Sequence, residues 1–91
     1  MSENQMFALG RLLMTPGVKE SLEDSEVIAA IRRHASGDWG DVSEEDRKEN
    51  ELSVSSNFRI VSAYHSRKGE KFWVITEADR SATTVLLPEE Y

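Results

Sequence analysis

His34 and Asp38 are the first residues of the sequence whose types and spacing could support catalysis. His34 lies near the end of a stretch with helical periodicity, and Asp38 follows in a glycine-rich loop, Gly37–Asp41. A carboxylate beside a histidine fixes the imidazole tautomer and orients the ring as a general base, and Asp41 or Asp46 could join the pair. The alternative is structural, with His34 half-buried at its helix end and Asp38 as a loop hydrogen-bond acceptor. Because ionisable clusters are often structural, the alternative is favoured.

Arg80 is the second candidate. Its guanidinium, together with the hydroxyl groups of two nearby threonines, could hold a phosphate or a carboxylate through two parallel hydrogen bonds. The alternative is an internal ion pair with Asp79, with Glu77 or with the acids of the loop 38–41. The local excess of acidic residues favours this internal pair.

The third candidate is an acidic surface. Residues 41–52 contain six acidic and two basic residues and carry most of the net negative charge of the chain. The residues that we predict to bind a partner are Asp38, Trp39, Asp41, Glu44, Glu45 and Glu49. Trp73 could extend such a patch, although tryptophans in a small chain are more often core residues or loop anchors.

The sequence predicts neither a metal site nor a cofactor. His34 and His65 are the two histidines, they fall on different predicted elements, and cysteine is absent. Zinc ligands recur at short spacings that these residues lack. The acids of segment 41–52 lack the glycine spacing of a calcium loop. No glycine-rich nucleotide-binding motif and no nucleophile motif occurs.

Composition and charge narrow the class of partner. The chain has 91 residues, of which 38% are hydrophobic and 31% charged, and a net charge of −6. These values are typical of one globular domain, residues 1–91, in which we expect residues 1–5 to be disordered. A surface of this sign repels phosphate backbones, so we expect no direct nucleic-acid binding. No apolar run is long enough to span a bilayer. We therefore expect a cytoplasmic protein whose partner is another protein.

The C-terminal third must provide the platform for these residues. Phe58–Leu87 contains three runs of β-branched and aromatic residues, separated by polar turns at 67–70 and 78–81. This pattern predicts a three-stranded antiparallel meander. The first turn fits two or three residues around Lys68–Gly69, which leaves the register open by one position.

The preceding chain must cover the sheet. By spacing, Met6–Met14 fits a strand or a short buried helix equally well. We favour a strand, because Gly10 weakens a helix and Pro16 would end it. This strand would be the fourth of the sheet. Helices are predicted from Pro16 to about Glu23, from Glu26 to Ala35 and from Glu44 to about Glu51, with Ser53–Asn57 as a linker. The predicted fold class is α+β: a three- or four-stranded, mainly antiparallel sheet packed with two or three short helices.

Several stretches in combination resemble a group of short bacterial proteins described as plasmid-related. They are residues 34–41 (HASGDWGD), 59–64 (RIVSAY), 73–84 (WVITEADRSATT) and 87–91 (LPEEY). The similarity spans about residues 8–91. It implies a bacterial cytoplasm and an association with mobile elements, hence with replication, maintenance or counter-defence. The group has no established activity, so the resemblance assigns no catalytic role.

Three functional hypotheses follow. The first is a small non-catalytic accessory protein that binds another protein through the acidic segment and the loop 37–41. The second is a small hydrolytic enzyme in which His34 is the base, Asp38 orients it and Arg80 binds an anion, which requires one shared cleft. The third is a DNA mimic that inhibits a defence enzyme. A net charge of −6 lies within the roughly 2–8 that ordinary small domains carry, so the first is favoured. The oligomeric state is left open.

Overall fold

The computed structural model describes residues 5–91 and has an α+β fold. In chain order its elements are β1 (Arg11–Met14), α1 (Pro16–Ser21), α2 (Asp24–Ala35), α3 (Glu44–Ser56), β2 (Ile60–His65), β3 (Lys71–Thr76), β4 (Ala82–Leu86) and a 3₁₀ turn (Pro88–Glu90). The predicted fold class is thereby confirmed, with four strands and three helices. Disorder was predicted for residues 1–5, of which residues 1–4 lie outside the described residues.

The sheet has the strand order β1-β4-β3-β2. β2, β3 and β4 form the predicted antiparallel meander, in which Ile60 pairs with Thr76 and Val74 pairs with Val85. The N–H of Ser66 donates to the carbonyl of Glu70 (2.8 Å), and Gly69 is left-handed with φ 88°, so the β2–β3 turn is the three-residue alternative, residues 67–69. β1 pairs with β4 in parallel, so the sheet is mixed. A parallel pair needs a long connection, and the chain between β1 and β4 includes all three helices and two strands.

Local sequence signals determine where α1 begins. The hydroxyl oxygen of Thr15 accepts a hydrogen bond from the backbone N–H of Val18 (3.4 Å), and Pro16 occupies the first helical position. α2 begins at Asp24, two residues before the predicted start at Glu26. Acidic residues in its first turn and basic residues in its last turn both complement the helix dipole.

α3 is longer than predicted. It continues to Ser56, so the interpretation of Ser53–Asn57 as a linker is wrong. The hydroxyl of Ser53 donates to the backbone carbonyl of Glu49 (2.7 Å), which satisfies this polar side chain within the helix. Asn57 ends the helix in the left-handed conformation, with φ 60°.

α1 and α2 cover one face of the sheet. The main core on this face consists of Val18, Leu22, Val27, Ala30, Tyr64, Phe72, Val74 and Val85. A second cluster, close to the C-terminal end of α2, contains Phe7, Trp39 and Ile60. Removal of these apolar side chains from water is the main driving force for folding.

The opposite face of the sheet is less covered. Because side chains alternate along a strand, Ala63 of β2 and Trp73 and Ile75 of β3 point to this face. α3 packs against β2, and the 3₁₀ turn packs against β3. The ring of Tyr91 contacts Trp73 edge-on, with 5.7 Å between the ring centroids. Trp73 is consequently only half-buried.

Residues outside the sheet cover its β2 edge. The N–H of Ala63 donates to the carbonyl of Trp39 (3.0 Å), and the N–H of Asp41 donates to the carbonyl of Ala63 (2.7 Å). The side-chain amide of Asn50 donates to the carbonyl of Val61 (2.8 Å) and accepts from its N–H (3.2 Å). A sheet edge exposes unpaired backbone groups, and here four of them are satisfied.

Gly40 allows the loop to approach β2 this closely. Its φ is 76°, and a Cβ atom at this position would lie 2.1 Å from the carbonyl oxygen of Ala63. Only glycine combines a left-handed backbone with the absence of a side chain. The second glycine of the GDWGD sequence therefore has a structural explanation.

We expect Asn50→Asp to destabilise the protein by about 1–3 kcal/mol. The size of the side chain is unchanged, but a carboxylate cannot donate to the Val61 carbonyl and repels its oxygen. Denaturant unfolding at pH 7 measures the loss. Leu52→Glu is the matched control, because it adds the same charge to α3 at a side chain that is 56% exposed. Equal losses in the two variants would contradict the role of Asn50.

Candidate functional site

His34 lies fully buried beneath the C-terminal end of α2. Its Nδ1 is 2.6 Å from the hydroxyl oxygen of Ser62, and its Nε2 is 2.8 Å from that of Thr76. The hydroxyl oxygen of Thr76 is 2.6 Å from that of Thr83, which donates to the carbonyl of Leu9 (2.7 Å). These five residues form one chain of hydrogen bonds across β2, β3 and β4, which we call the His34 network.

The hydrogen bonds from the His34 imidazole to Thr76, Thr83 and Leu9 all run in one direction, from donor to acceptor. The hydroxyl proton of Thr83 is used on the Leu9 carbonyl, so Thr83 accepts from Thr76. Thr76 in turn accepts from Nε2–H of His34, and Nδ1 accepts from the hydroxyl of Ser62. A neutral imidazole with its proton on Nε2 fits this direction and uses both ring nitrogens.

The surroundings of His34 keep it neutral. Burial, with a smaller contribution from the positive charge of Arg80, lowers the pKa of His34 to about 3. The rings of Phe7 and Trp39 contact the imidazole edge-on, with centroid distances of 5.3 and 6.0 Å. A general base must reach its substrate and have a pKa near the working pH. His34 meets neither requirement and is a structural residue.

Asp38 lies outside the His34 network. Its carboxylate forms two hydrogen bonds with the guanidinium of Arg33, at 2.7 and 3.2 Å, and this pair lowers the pKa of Asp38. The guanidinium of Arg33 also lies 4.6 Å from the ring centroid of Tyr64, whose hydroxyl donates to the Asp38 carbonyl (2.5 Å). The structure thus does not bring the predicted His34–Asp38 pair together.

Arg80 binds backbone carbonyls. Its Nη1 donates to the carbonyls of Phe58 (2.9 Å), Glu77 (3.2 Å) and Ala78 (3.3 Å), and its Nη2 donates to that of Ser53 (2.7 Å). Among residues 5–91 it forms no ion pair, so the predicted pairing with a nearby carboxylate is wrong. Its side chain instead joins the C-terminal end of α3 to the β3–β4 turn. Arg80 therefore holds the fold together and is not placed as an anion-binding residue.

Trp39 is a core residue. Its side chain is 2% exposed, and its ring stacks on Phe7 with 6.2 Å between the ring centroids. It cannot contact a partner without unfolding of the cluster, although the sequence predicts it as a binding residue. The short loop and the bridge from Gly40 to Ala63 force the ring inward.

A groove lies between α3 and the less-covered face of the sheet. Its volume is about 390 Å³. α3 and the loop before it contribute Asp41, Asp46 and Glu49, and the sheet contributes Trp73 and Val61. We call this feature the α3 groove. It combines carboxylates with a half-buried aromatic ring.

Charges of both signs line the α3 groove. Arg59 and Lys71 belong to its sheet side. The Nε of Arg59 lies 3.8 Å from a carboxylate oxygen of Glu77, which draws this charge away from the acids of α3. Within residues 5–91, Asp46 and Glu49 form no ion pair. These two carboxylates are therefore free to bind a cationic group of a partner.

The α3 groove contains part of the predicted acidic surface. Asp41 and Glu49 line it, whereas Glu44 and Glu45 do not. Glu44 forms an ion pair with Arg47, one turn further along α3. Residues three or four positions apart share a helix face, so the helical spacing could have separated the acids that face the sheet from those that face solvent.

Sequence reasoning missed the sheet side of the α3 groove. The sequence allows Trp73 to extend a recognition patch but favours a core or anchoring role for it, and it assigns no role to Arg59 or Lys71 in such a patch. Alternation along β2 and β3 places Lys71 and Trp73 on one face together with Val61, and Arg59, directly before β2, lines the same groove. The pattern therefore contained this information, but it did not show which face of the sheet the helices leave uncovered.

The geometry alone defines this site. Comparisons with protein-family models, with curated protein sequences and with solved structures found no match. Within residues 5–91, no group of three or more His, Asp and Glu residues is arranged to hold a metal ion. None of the helices in that range combines the length and the apolar character needed to cross a bilayer.

Proposed function

We propose that this protein is a small non-catalytic interaction protein that binds another protein in the α3 groove. The observation that supports this proposal is the combination, in one cleft, of a half-buried tryptophan and two acidic residues that lack ion pairs within residues 5–91. Tryptophan is enriched among the residues that dominate binding energy at protein interfaces. The resemblance described above adds a link to mobile elements to this proposal.

The groove favours a partner segment that presents a basic and an apolar side chain together. The apolar side chain would cover Trp73 and Val61, and a lysine or arginine would meet Asp46 and Glu49. An exposed ion pair contributes only about 0.2–1 kcal/mol, whereas a central tryptophan contact contributes about 2 kcal/mol or more. Trp73 would therefore supply most of the affinity. The acids would select the partner and accelerate its association.

We expect Asp46→Lys/Glu49→Lys to weaken partner binding by about 10-fold or more, because two attractive pairs of about 0.2–1 kcal/mol each become repulsions of similar size. The two substitutions reverse the charge of the α3 side of the groove and leave the hydrophobic core unchanged, because both side chains are exposed. Affinity capture from a bacterial lysate, followed by a binding titration with the captured protein, measures the effect. Trp73→Ala is expected to weaken the same binding by about 30-fold or more.

The control is Glu45→Lys/Glu51→Lys. It changes the net charge by the same amount on the same helix, at exposed positions outside the groove, and we expect it to retain the partner. Loss of the partner in both double variants would mean that net charge, rather than the groove, controls binding. Wild-type affinity of the groove variant for the partner, or the absence of any captured protein, would contradict the proposal.

The other two hypotheses have less support. A hydrolytic site would require His34, Asp38 and Arg80 to converge, but His34 is bonded to hydroxyls, Asp38 to Arg33 and Arg80 to carbonyls. A DNA mimic needs an uninterrupted row of carboxylates. On α3 the row is interrupted by Arg47 and its neighbouring lysine.

A further inference from the structure

The two edges of the sheet differ. The β2 edge is covered by the loop 37–41 and by Asn50, whereas β1 at the other edge is exposed along its whole length. Leu12, Leu13 and Met14 of β1 are 56%, 42% and 43% exposed. Soluble proteins usually protect edge strands with charges, prolines or covering segments. Three consecutive exposed apolar residues on an uncovered edge therefore need an explanation.

Within residues 5–91, the outer backbone groups of β1 have no hydrogen-bond partner and are open to a further strand. The N–H of Arg11 donates to the carbonyl of Ser81, and the N–H of Thr15 donates to that of Val85. Since successive residues of a strand point their backbone groups to opposite sides, Arg11 and Thr15 face β4. Leu12 and Met14 direct their N–H and C=O groups away from the sheet.

We propose that two copies of this chain associate by antiparallel pairing of their β1 strands, which creates a continuous eight-stranded sheet. The outward-facing residues define the register: Leu12 of one copy pairs with Met14 of the other, and Leu13 meets its own copy on the two-fold axis. The next pair outward joins Arg11 and Thr15. Each of these pairs contains at least one uncharged residue, so no two like charges oppose each other.

The distribution of charge favours a second copy as the occupant. The acidic segment 41–52 lies beside β2, at the far edge of the sheet from β1. Association through β1 therefore keeps the two acidic segments far apart. It also leaves both α3 grooves open, so that a dimer could bind two partner segments at once. A contact of five residues from each strand is smaller than the roughly 1,200 Å² at the lower end of standard interfaces, so we expect weak association.

Sedimentation equilibrium tests this inference. From about 10 µM to about 2 mM, a range that covers weak association, we expect the apparent mass to rise from 10.3 kDa towards twice that value. Leu13→Lys places two positive charges on the two-fold axis, and Met14→Pro removes an outward N–H that the single chain does not use. Both variants are expected to stay monomeric over this range.

Leu52→Lys is the matched control. It makes the same change of charge at a leucine that is exposed to the same extent as Leu12 but lies on α3, and we expect it to dimerise like the wild type. In the wild type, amide exchange at Leu12 and Met14 is expected to slow as concentration rises. A wild-type chain that stays monomeric, or unchanged association of Leu13→Lys, would overturn the inference. Loss of association in Leu52→Lys would place the interface elsewhere and would overturn it as well.

Discussion

Replacement of His34 by alanine is expected to destabilise the protein by about 3–5 kcal/mol, the range measured when a large ring is removed from a core. The imidazole is fully buried, and its removal leaves a cavity between α2 and the sheet. The hydroxyls of Ser62 and Thr76 lose their partners at the same time, and each unsatisfied buried group costs about 1–3 kcal/mol. For a domain of this size, this is a large part of the total stability.

Denaturant unfolding at pH 7 measures the loss. His65→Ala is the control, because His65 is an exposed histidine on the edge strand β2, and we expect its effect to stay within about 0.5 kcal/mol. His34→Gln retains one donor and one acceptor and should lose less stability than His34→Ala. A loss below about 1 kcal/mol in His34→Ala would show that the His34 network contributes little.

The His34 network also makes the stability depend on pH. The pKa of His34 is about 3 in the folded protein and about 6.5 in an unfolded chain. Between these values the unfolded chain binds more protons, so stability is complete above pH 6.5 and falls as the pH falls towards 3. We expect a loss of about 2 kcal/mol between pH 7 and pH 5, because each unit corresponds to about 1.4 kcal/mol.

Other groups contribute at lower pH. Asp38 and Glu90 have lowered pKa values because of hydrogen bonds from Arg33 and from Thr15. Their contributions to stability are lost as the pH falls below about 4.5, outside the window assigned to His34. Unfolding of His34→Gln should therefore be almost independent of pH between 7 and 5. An equal slope in this variant and in the wild type would contradict the assignment.

Arg80→Ala is expected to destabilise the protein by about 3 kcal/mol, since a hydrogen bond from a charged donor contributes about 1.5–3 kcal/mol and Arg80 makes several. The guanidinium also lies 5.5 Å from the ring centroid of Phe7, which adds a cation–π contact. The carbonyl of Ser53 at the end of α3 would keep only the hydrogen bond from the backbone N–H of Asn57 (2.9 Å). Thermal and denaturant unfolding both report this loss.

The backbone of Arg80 provides a control. Its φ is 62°, and the left-handed conformation costs an ordinary residue about 1–2 kcal/mol more than glycine. Arg80→Gly removes the same guanidinium and relieves this strain, so it should be more stable than Arg80→Ala by about 1 kcal/mol. Arg80→Lys keeps the charge without the planar fork and should recover only part of the loss. Wild-type stability in Arg80→Gly would show that the carbonyl contacts contribute no more than the roughly 1–2 kcal/mol gained by relief of the strain.

Much of the fold follows from local signals in the sequence. Thr15 and Pro16 start α1, the apolar spacing of 27–35 defines α2, and two polar turns divide the C-terminal third into three strands. These signals act through neighbouring residues, so they can be interpreted without a tertiary structure. The errors occurred where a polar residue found a partner within its own element, as Ser53 does in α3.

The composition of the site depended on contacts between residues that are distant in sequence. His34 meets Ser62 and Thr76 only because α2 packs across β2 and β3, and nothing in its local sequence distinguishes these partners from Asp38. In the same way, the tertiary structure decided which tryptophan is buried. Trp39 faces the cluster beneath α2, whereas Trp73 faces the less-covered side of the sheet, where α3 and the 3₁₀ turn leave it half-buried.

The sequence by itself determined the class of fold, the order of its elements and the position of its acidic segment, because each of these depends on residue type and short-range spacing. Only the tertiary structure decided that β1 runs parallel to β4 at an exposed edge and that the α3 groove unites Asp46, Glu49 and Trp73. The physical reason is that alternation in a strand assigns side chains to two faces. Which face the helices cover is decided by the packing of the whole chain.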